Sequence, residues 1–223
     1  MSTQGKPPPT FGDSDPRFDE ELPTPVSNRP HRDAVRPPAD NLTPIDLSLP
    51  PIPMSPLKRQ QVFGRFAWSP DPIPGNAERI RIVGDWVAKN VVSVKIPQLE
   101  KLGIWPAVRF HRLGVNQLLS MWAAWEEAGL LDRVKTWNGS FATRFKRGKA
   151  GSARIEDLSN HAWATAIDIN VAWNRLGDEP AELGKPGCVR ELVPIAHRHG
   201  FVWGGHFLSR KDGMHWELGR LQP

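Results

Sequence analysis

Two histidines and two aspartates in the second half of the chain have types and spacings that suit metal-assisted hydrolysis. His161 and Asp168 lie in "LSNHAWATAIDIN" (158–170), and Asp212 and His215 lie in "KDGMHWEL" (211–218). A catalytic zinc site takes three protein ligands with N or O donors and leaves one position for water. His161, Asp168 and His215 meet that need. Asp212, three residues before His215, can sit beside a metal without ligating it. Attack of water on an amide needs a base to take a proton and an acid to return it to the leaving amine, and one carboxylate can do both. Glu217 follows His215 by two positions, so on a strand they share a face, and Glu217 can orient the imidazole from behind.

Each of these residues has a plainer reading. His161 alone reads as a hydrogen-bonded structural histidine, Asp168 as a turn cap and Asp212, in "RKDG", as an ordinary turn residue. His197 and His199 read as solvent-facing residues at a helix end, where cations suit the dipole. His206, in "WGGHF", lies close to the second motif without a role of its own.

The elements that must position these groups are short. "TAIDIN" (165–170) alternates and reads as a strand, and small Ala162 and Ala164 ease the bend that would bring His161 back towards Asp168. "FVWGG" and "MHWEL" read as two further strands, the second able to pair beside "TAIDIN" and deliver His215. "NVVSVKIP" (90–97) and "AVRFH" (107–111) read as strands from β-branched content and alternation. Leu118, Leu119, Trp122 and Trp125 recur at helical spacing between Leu113 and Leu131, with a stop near Gly129. "VRELVPIAHRHG" (189–200) reads as a short helix ending at Gly200. Residues 136–160 are basic and rich in glycine and serine, and read as a long, largely irregular loop of the kind that serves a site. The expected class is α+β, a small antiparallel sheet flanked by helices.

Composition bounds the rest. Residues 1–56 hold 14 of the 23 prolines and show little apolar periodicity. They read as a disordered or polyproline-like arm, either a linker or a docking arm for a partner. The domain proper is then 57–223, with a catalytic core at about 105–220. The arm carries a net −3, leaving +8 on residues 57–223. A basic surface suits a polyanion such as nucleic acid, anionic lipid or bacterial cell wall. No RNP-like, zinc-finger or helix-turn-helix pattern appears, which argues against nucleic acid. Cys188 is the only cysteine, so no intrachain disulfide forms and a four-cysteine metal site is excluded. No apolar run approaches the roughly 20 residues of a membrane span, and the N-terminus lacks the build of a secretory signal. The expected location is therefore the cytoplasm until release or export by another route. Eight of the ten tryptophans lie between Trp105 and Trp216, as core packing or as the lining of a groove.

"SNHAWATAID" resembles the S-x-H-x-x-G-x-A-x-D signature of the zinc peptidases that include D-alanyl-D-alanine carboxypeptidases and the L-alanyl-D-glutamate endopeptidases of phage endolysins. "FVWGGHFLSRKDGMHWEL" resembles the closing segment of the same family, a "WGG" turn followed by D-x-x-H-[FW]-E. The resemblance runs from Trp137 to Leu218 and more faintly from about Ile80. It implies zinc as cofactor, His161, Asp168 and His215 as ligands, and Asp212 as acid/base. It also implies the small α+β fold shared with the signalling domain of hedgehog proteins. Arg144, in "FATRF", aligns with an arginine that helps hold substrate, as a guanidinium binds a carboxylate bidentately; Arg147 competes for that role. Ser159 aligns with the motif serine, to hydrogen-bond substrate or the ligand loop. One departure is Ala164, where the family usually has glycine; a positive φ there would cost stability.

The expected function is zinc-dependent hydrolysis of a peptide bond in peptidoglycan stem peptides, as a D-Ala-D-Ala carboxypeptidase or an L-Ala-D-Glu endopeptidase. Two rivals stand beside it: a non-catalytic, metal-stabilised wall-binding module, and a delivered toxin effector whose arm docks to a delivery machine. Release of a cytoplasmic enzyme by a phage holin fits the missing signal equally.

Overall fold

The structure, a computed structural model, describes residues 50–222. The proline-rich arm expected over 1–56 lies, up to residue 49, outside the described residues. The compact unit begins at Pro50, because Pro51 and Met54 are buried and Gly219 lets the backbone of Ile52 and the ring of Pro51 approach the last strand.

Helix α1 (Pro56–Phe63) owes its start to Ser55, whose hydroxyl accepts from the Lys58 N–H, and to a proline at its first position. Gly64 ends it at φ 88°. Strands β1 (Ala67–Pro70) and β2 (Ile80–Val83) form an antiparallel pair, followed by the short helix α2 (Trp86–Asn90). Strand β3 (Val91–Lys95) pairs antiparallel with β4 (Ala107–His111), with α3 (Pro97–Lys101) between them. Helix α4 (Val115–Glu127) carries the periodic apolar stripe and buries Leu118, Met121, Trp122 and Trp125.

The principal sheet has four antiparallel strands in the order β5 (Trp137–Gly139), β6 (Ala166–Ile169), β8 (His215–Leu218), β7 (Phe201–Trp203). Helix α5 (Val193–Arg198) precedes β7. The α+β class and the small antiparallel sheet are as the residue patterns indicate. The first strand of this sheet, β5, lies inside the segment expected to be irregular. Among the described residues no helix is long and apolar enough to cross a membrane.

Helix α4 packs on the sheet through aromatic rings. Trp125 meets Trp216 at 5.6 Å and Trp122 meets Trp137 at 6.2 Å between centroids, and the Trp125 indole N–H donates to the Leu192 carbonyl. Trp122, Trp125, Trp163, Trp203 and Trp216 are all fully buried. The tryptophan-rich stretch is thus mainly core, and each such side chain contributes on the order of 1.5–3 kcal/mol by burial. Trp105, 75% exposed, is the clear exception. At the end of β6, Asn170 adopts φ 57°, a conformation asparagine tolerates. Its side chain accepts from the Lys135 and Thr136 N–H groups and donates to the carbonyls of Arg133 and Gly187.

Buried His111 ties β4 to α1. Its Nδ1 accepts from the Leu113 N–H, so the proton sits on Nε2 and is donated to the Phe63 carbonyl at 3.2 Å. Burial pushes this imidazole down to about 4, with the Phe63 carbonyl opposing and the Arg112 charge assisting. The unfolded chain, with histidine near 6.5, then binds a proton that the folded chain refuses. The resulting stability is full above about pH 6.5 and is lost as pH falls towards 4, by about 3 kcal/mol. Denaturant unfolding of the wild type and of His111→Gln between pH 7 and 4 should show that much extra acid sensitivity in the wild type alone; parallel curves would contradict it.

Candidate metal centre

His161 is presented by a single 3-10 turn, Asn160–Trp163. Ser159 caps that turn, its hydroxyl accepting from the His161 N–H at 3.4 Å. Ala164 stops it in the left-handed region at φ 53°, ψ 39°, which reverses the chain into β6. The reversed carbonyl of Ala164 accepts from the His111 N–H at 2.7 Å, and the His161 carbonyl accepts from Ala142 N–H at 3.2 Å. Asp168 is the third residue of β6 and stands directly opposite His215 of β8. Directly paired residues point to the same face, so the register itself brings the carboxylate and the second imidazole together. On its other side Asp168 faces Gly139, which has no side chain to crowd it.

The three side chains converge, each offering a ligand atom, with those atoms all within 4.8 Å of one another. His161 Nε2 lies 3.1 Å from Asp168 Oδ2, and His215 Nδ1 lies 3.1 Å from Asp168 Oδ1. The two ring nitrogens are 3.1 Å apart. Their outer nitrogens decide what the inner ones carry. His161 Nδ1 donates to the Ser140 carbonyl at 2.6 Å, an acceptor only. His215 Nε2 donates to the Glu217 carboxylate at 3.0 Å. In their neutral forms both imidazoles therefore aim a lone pair inward, beside a carboxylate. Three acceptors facing one point repel one another unless a cation lies between them. That donor set, two imidazoles and one carboxylate with each imidazole supported from behind, fits a divalent transition metal such as zinc. The electrostatics agree. Burial and the partners pull the Asp168 carboxyl in opposite directions, and the His161 and His215 interactions win, holding it well below the usual range. Burial pushes His215 down, but the hydrogen bonds and charges of Asp168 and Glu217 raise it to about 10, so this centre attracts positive charge strongly.

Asp212 opens a tight turn whose carbonyl accepts from the His215 N–H at 3.0 Å. Its own N–H donates to the Gly204 carbonyl, and a Cβ at Gly204 would lie 2.4 Å from the Asp212 carbonyl oxygen. The "WGG" glycine is thus needed for the closing turn to sit where it does. Asp212 is outside the ligand cluster but within its field. Burial, opposed by His215 and assisted by Asp168, raises its carboxyl above the ordinary value, and its Oδ1 is buried without a hydrogen-bond partner. Arg144 donates to the Phe145 carbonyl at 3.1 Å, and its guanidinium feels the charges of Asp168 and Asp212. Arg147 instead pairs with Glu78 at 3.0 Å, so of the two arginines Arg144 is the one turned to this site. Ser159 serves the ligand turn through its hydroxyl. His206 is exposed, meets the Trp203 ring edge-on and the His197 ring at a tilt, and is not among the three clustered ligands.

Three supports escape sequence reasoning. The Ser140 carbonyl is backbone, and no side-chain pattern announces it. Asn160 donates to Glu217 from inside the ligand turn; its position beside His161 is the only hint. Arg59, 3% exposed, ion-pairs with Glu217 at 3.3 Å from helix α1, and nothing in its surroundings in the sequence marks it.

Ala164 shows why the departure from glycine is tolerated. The left-handed backbone costs alanine about 1–2 kcal/mol. Its fully buried methyl contributes about 0.8 kcal/mol, and alanine's stiffer unfolded chain about 0.4–1 kcal/mol. These terms nearly cancel, so Ala164→Gly should shift the melting temperature by no more than about 2 °C. Ala164→Val adds branching in a strained, closed position; it should cost about 3 kcal/mol or more, roughly a 6–12 °C fall. Thermal melts of both variants test this, and a large gain from glycine would show that the strain is not compensated.

Compared with known families, residues 153–218 match the profile of the family described as D-alanyl-D-alanine carboxypeptidase. No curated protein and no solved structure matches the chain. The matched stretch contains the capped turn, both central strands of the sheet and the closing turn, and with them His161, Asp168, Asp212 and His215. Over residues 153–218 the chain is similar to the D-alanyl-D-alanine carboxypeptidase family of peptidases.

Proposed function

We propose that the protein is a zinc-dependent peptidase that hydrolyses a peptide bond in peptidoglycan stem peptides. The observation that carries this reading is the convergence of two lone-pair-aimed imidazoles and a carboxylate beside a second carboxyl, that of half-buried Asp212, whose Oδ1 is buried without a hydrogen-bond partner and whose proton affinity is raised. His161 Nε2, His215 Nδ1 and Asp168 would hold the ion. A bound zinc ion supplies Lewis acidity and brings the pKa of a water to about 7. The residues of the chain do the rest. Asp212, its proton affinity raised above the ordinary carboxylate value by burial, takes a proton from the attacking water and returns it to the leaving amine. Ser140 and Glu217 keep both imidazoles in the tautomers that ligation needs. Arg144 offers a guanidinium for a substrate carboxylate or polarised carbonyl, and Ser159 keeps the His161 turn in place. The net positive charge of residues 57–223 favours an anionic wall.

Digestion of purified peptidoglycan, with fragments identified by mass, tests the reading. The wild type should release product that a chelator abolishes and zinc restores. Free D-alanine would identify a carboxypeptidase, and new N-terminal D-glutamate an endopeptidase. Asp212→Ala should retain zinc but lose about 10²–10⁴-fold in kcat. Wall binding that survives Asp212→Ala, with no chelator-sensitive product from the wild type, would instead identify a binding module. Arg144→Ala should raise KM about 10–100-fold, the loss of one charge-assisted contact; an unchanged KM would remove Arg144 from the substrate site.

A further inference from the structure

Helix α1 lies well outside the matched residues 153–218, yet it is tied to the metal centre at both ends. At its C-terminal end, the Trp163 indole donates to the Gly64 carbonyl at 3.1 Å, and Trp163 belongs to the turn that presents His161. The neighbouring Phe63 carbonyl accepts from Trp86 and His111. In its first half, buried Arg59 sends Nη2 to Glu217 Oε1 at 3.3 Å, with its guanidinium 5.9 Å from the centroid of the Trp163 ring. The two oxygens of Glu217 divide their work. Oε1 faces Arg59, while Oε2 accepts from His215 Nε2 at 3.0 Å and from the Asn160 amide. Glu217 is 2% exposed, and a carboxylate buried that deeply needs partners for its oxygens. An ionised carboxylate is an acceptor only, so it keeps the His215 proton on Nε2.

We propose that Arg59 is a positioning residue of the metal centre. It anchors Oε1 of Glu217, which fixes Oε2 against His215 Nε2 and thereby aims the His215 Nδ1 lone pair at the cation. Without the guanidinium, Oε1 of Glu217 loses its partner and the carboxyl group is held through Oε2 alone, so the ring it supports is less firmly oriented. Removal of supports behind a ligand typically weakens metal binding 10–100-fold. Helix α1 then completes a centre whose ligands all lie in the family segment. This inference rests on the reading of His161, Asp168 and His215 as metal ligands, but not on peptidase activity.

The test is zinc affinity of the full-length chain, measured in competition with a chromogenic chelator, for wild type, Arg59→Met, Glu217→Gln and the double variant. Arg59→Met should bind zinc about tenfold more weakly, and Arg59→Lys should recover part of the loss. Glu217→Gln should lose at least as much, and adding Arg59→Met to it should cause no further loss, because Arg59 acts through Glu217. Equal affinity of Arg59→Met and wild type would overturn the proposal, as would the same loss in both backgrounds. Should Arg59→Met alone fail to fold, the double variant, which leaves no unpaired buried charge, is compared with Glu217→Gln; matching affinities uphold the proposal and a lower one in the double variant overturns it. Zinc binding that depends on Arg59 in a chain that cleaves no stem peptide would uphold this inference while ending the peptidase reading.

Discussion

Two imidazole nitrogens held 3.1 Å apart, each with its lone pair turned towards the other and towards one carboxylate, form an arrangement that electrostatics forbids unless positive charge lies among them. The rest of the site can be understood as the means of keeping this unfavourable geometry in place. Hydrogen bonds on the far side of each ring remove the freedom to turn a donor inward. The Ser140 carbonyl does this for His161 and the Glu217 carboxylate for His215. The antiparallel register sets Asp168 opposite His215, and a left-handed residue folds His161 back over both. The raised proton affinity of His215 and the depressed one of Asp168 express the same fact, an enclosed region of negative potential seeking a cation.

Asp212 differs from Asp168 through environment alone. Both are aspartates near the same two histidines. The interactions of the two histidines hold Asp168 ionised, whereas Asp212 is half-buried, with no hydrogen bond to its buried Oδ1, and is pushed towards the protonated form. Two carboxyl groups with opposed proton affinities in one site are the pattern expected where one must ligate and the other must exchange protons. The glycine that admits the Asp212 backbone, Gly204, makes that placement possible.

Much of the site was legible because its residues cluster in two short stretches whose alternation and spacing report their geometry. Strand alternation put His215 and Glu217 on one face, and the small residues around the His161 turn allowed the bend. Helix α4 was equally plain, since its apolar residues recur at three- and four-residue spacing and all pack inward. What escaped shows where local pattern ends. Helix α1, "PLKRQQVF", is short and polar; its cap and leading proline start it, but its stability comes from tertiary contacts made by Arg59, Phe63 and Gly64. Strand β5 spans three residues within a glycine-rich segment and exists only as an edge paired to β6. The eight tryptophans between Trp105 and Trp216 could equally have lined a groove, because composition says nothing about direction, and the structure turns five of them into the core.

Strand β8 carries one further consequence. Within four residues, His215 and Glu217 face the candidate metal centre while Trp216 meets Trp125 of helix α4 in the protein interior. A slip of one position would exchange these sides completely. The candidate metal centre and the tryptophan-packed interior are therefore opposite surfaces of the same strand. A change of register that took His215 from Asp168 would also take Trp216 from Trp125.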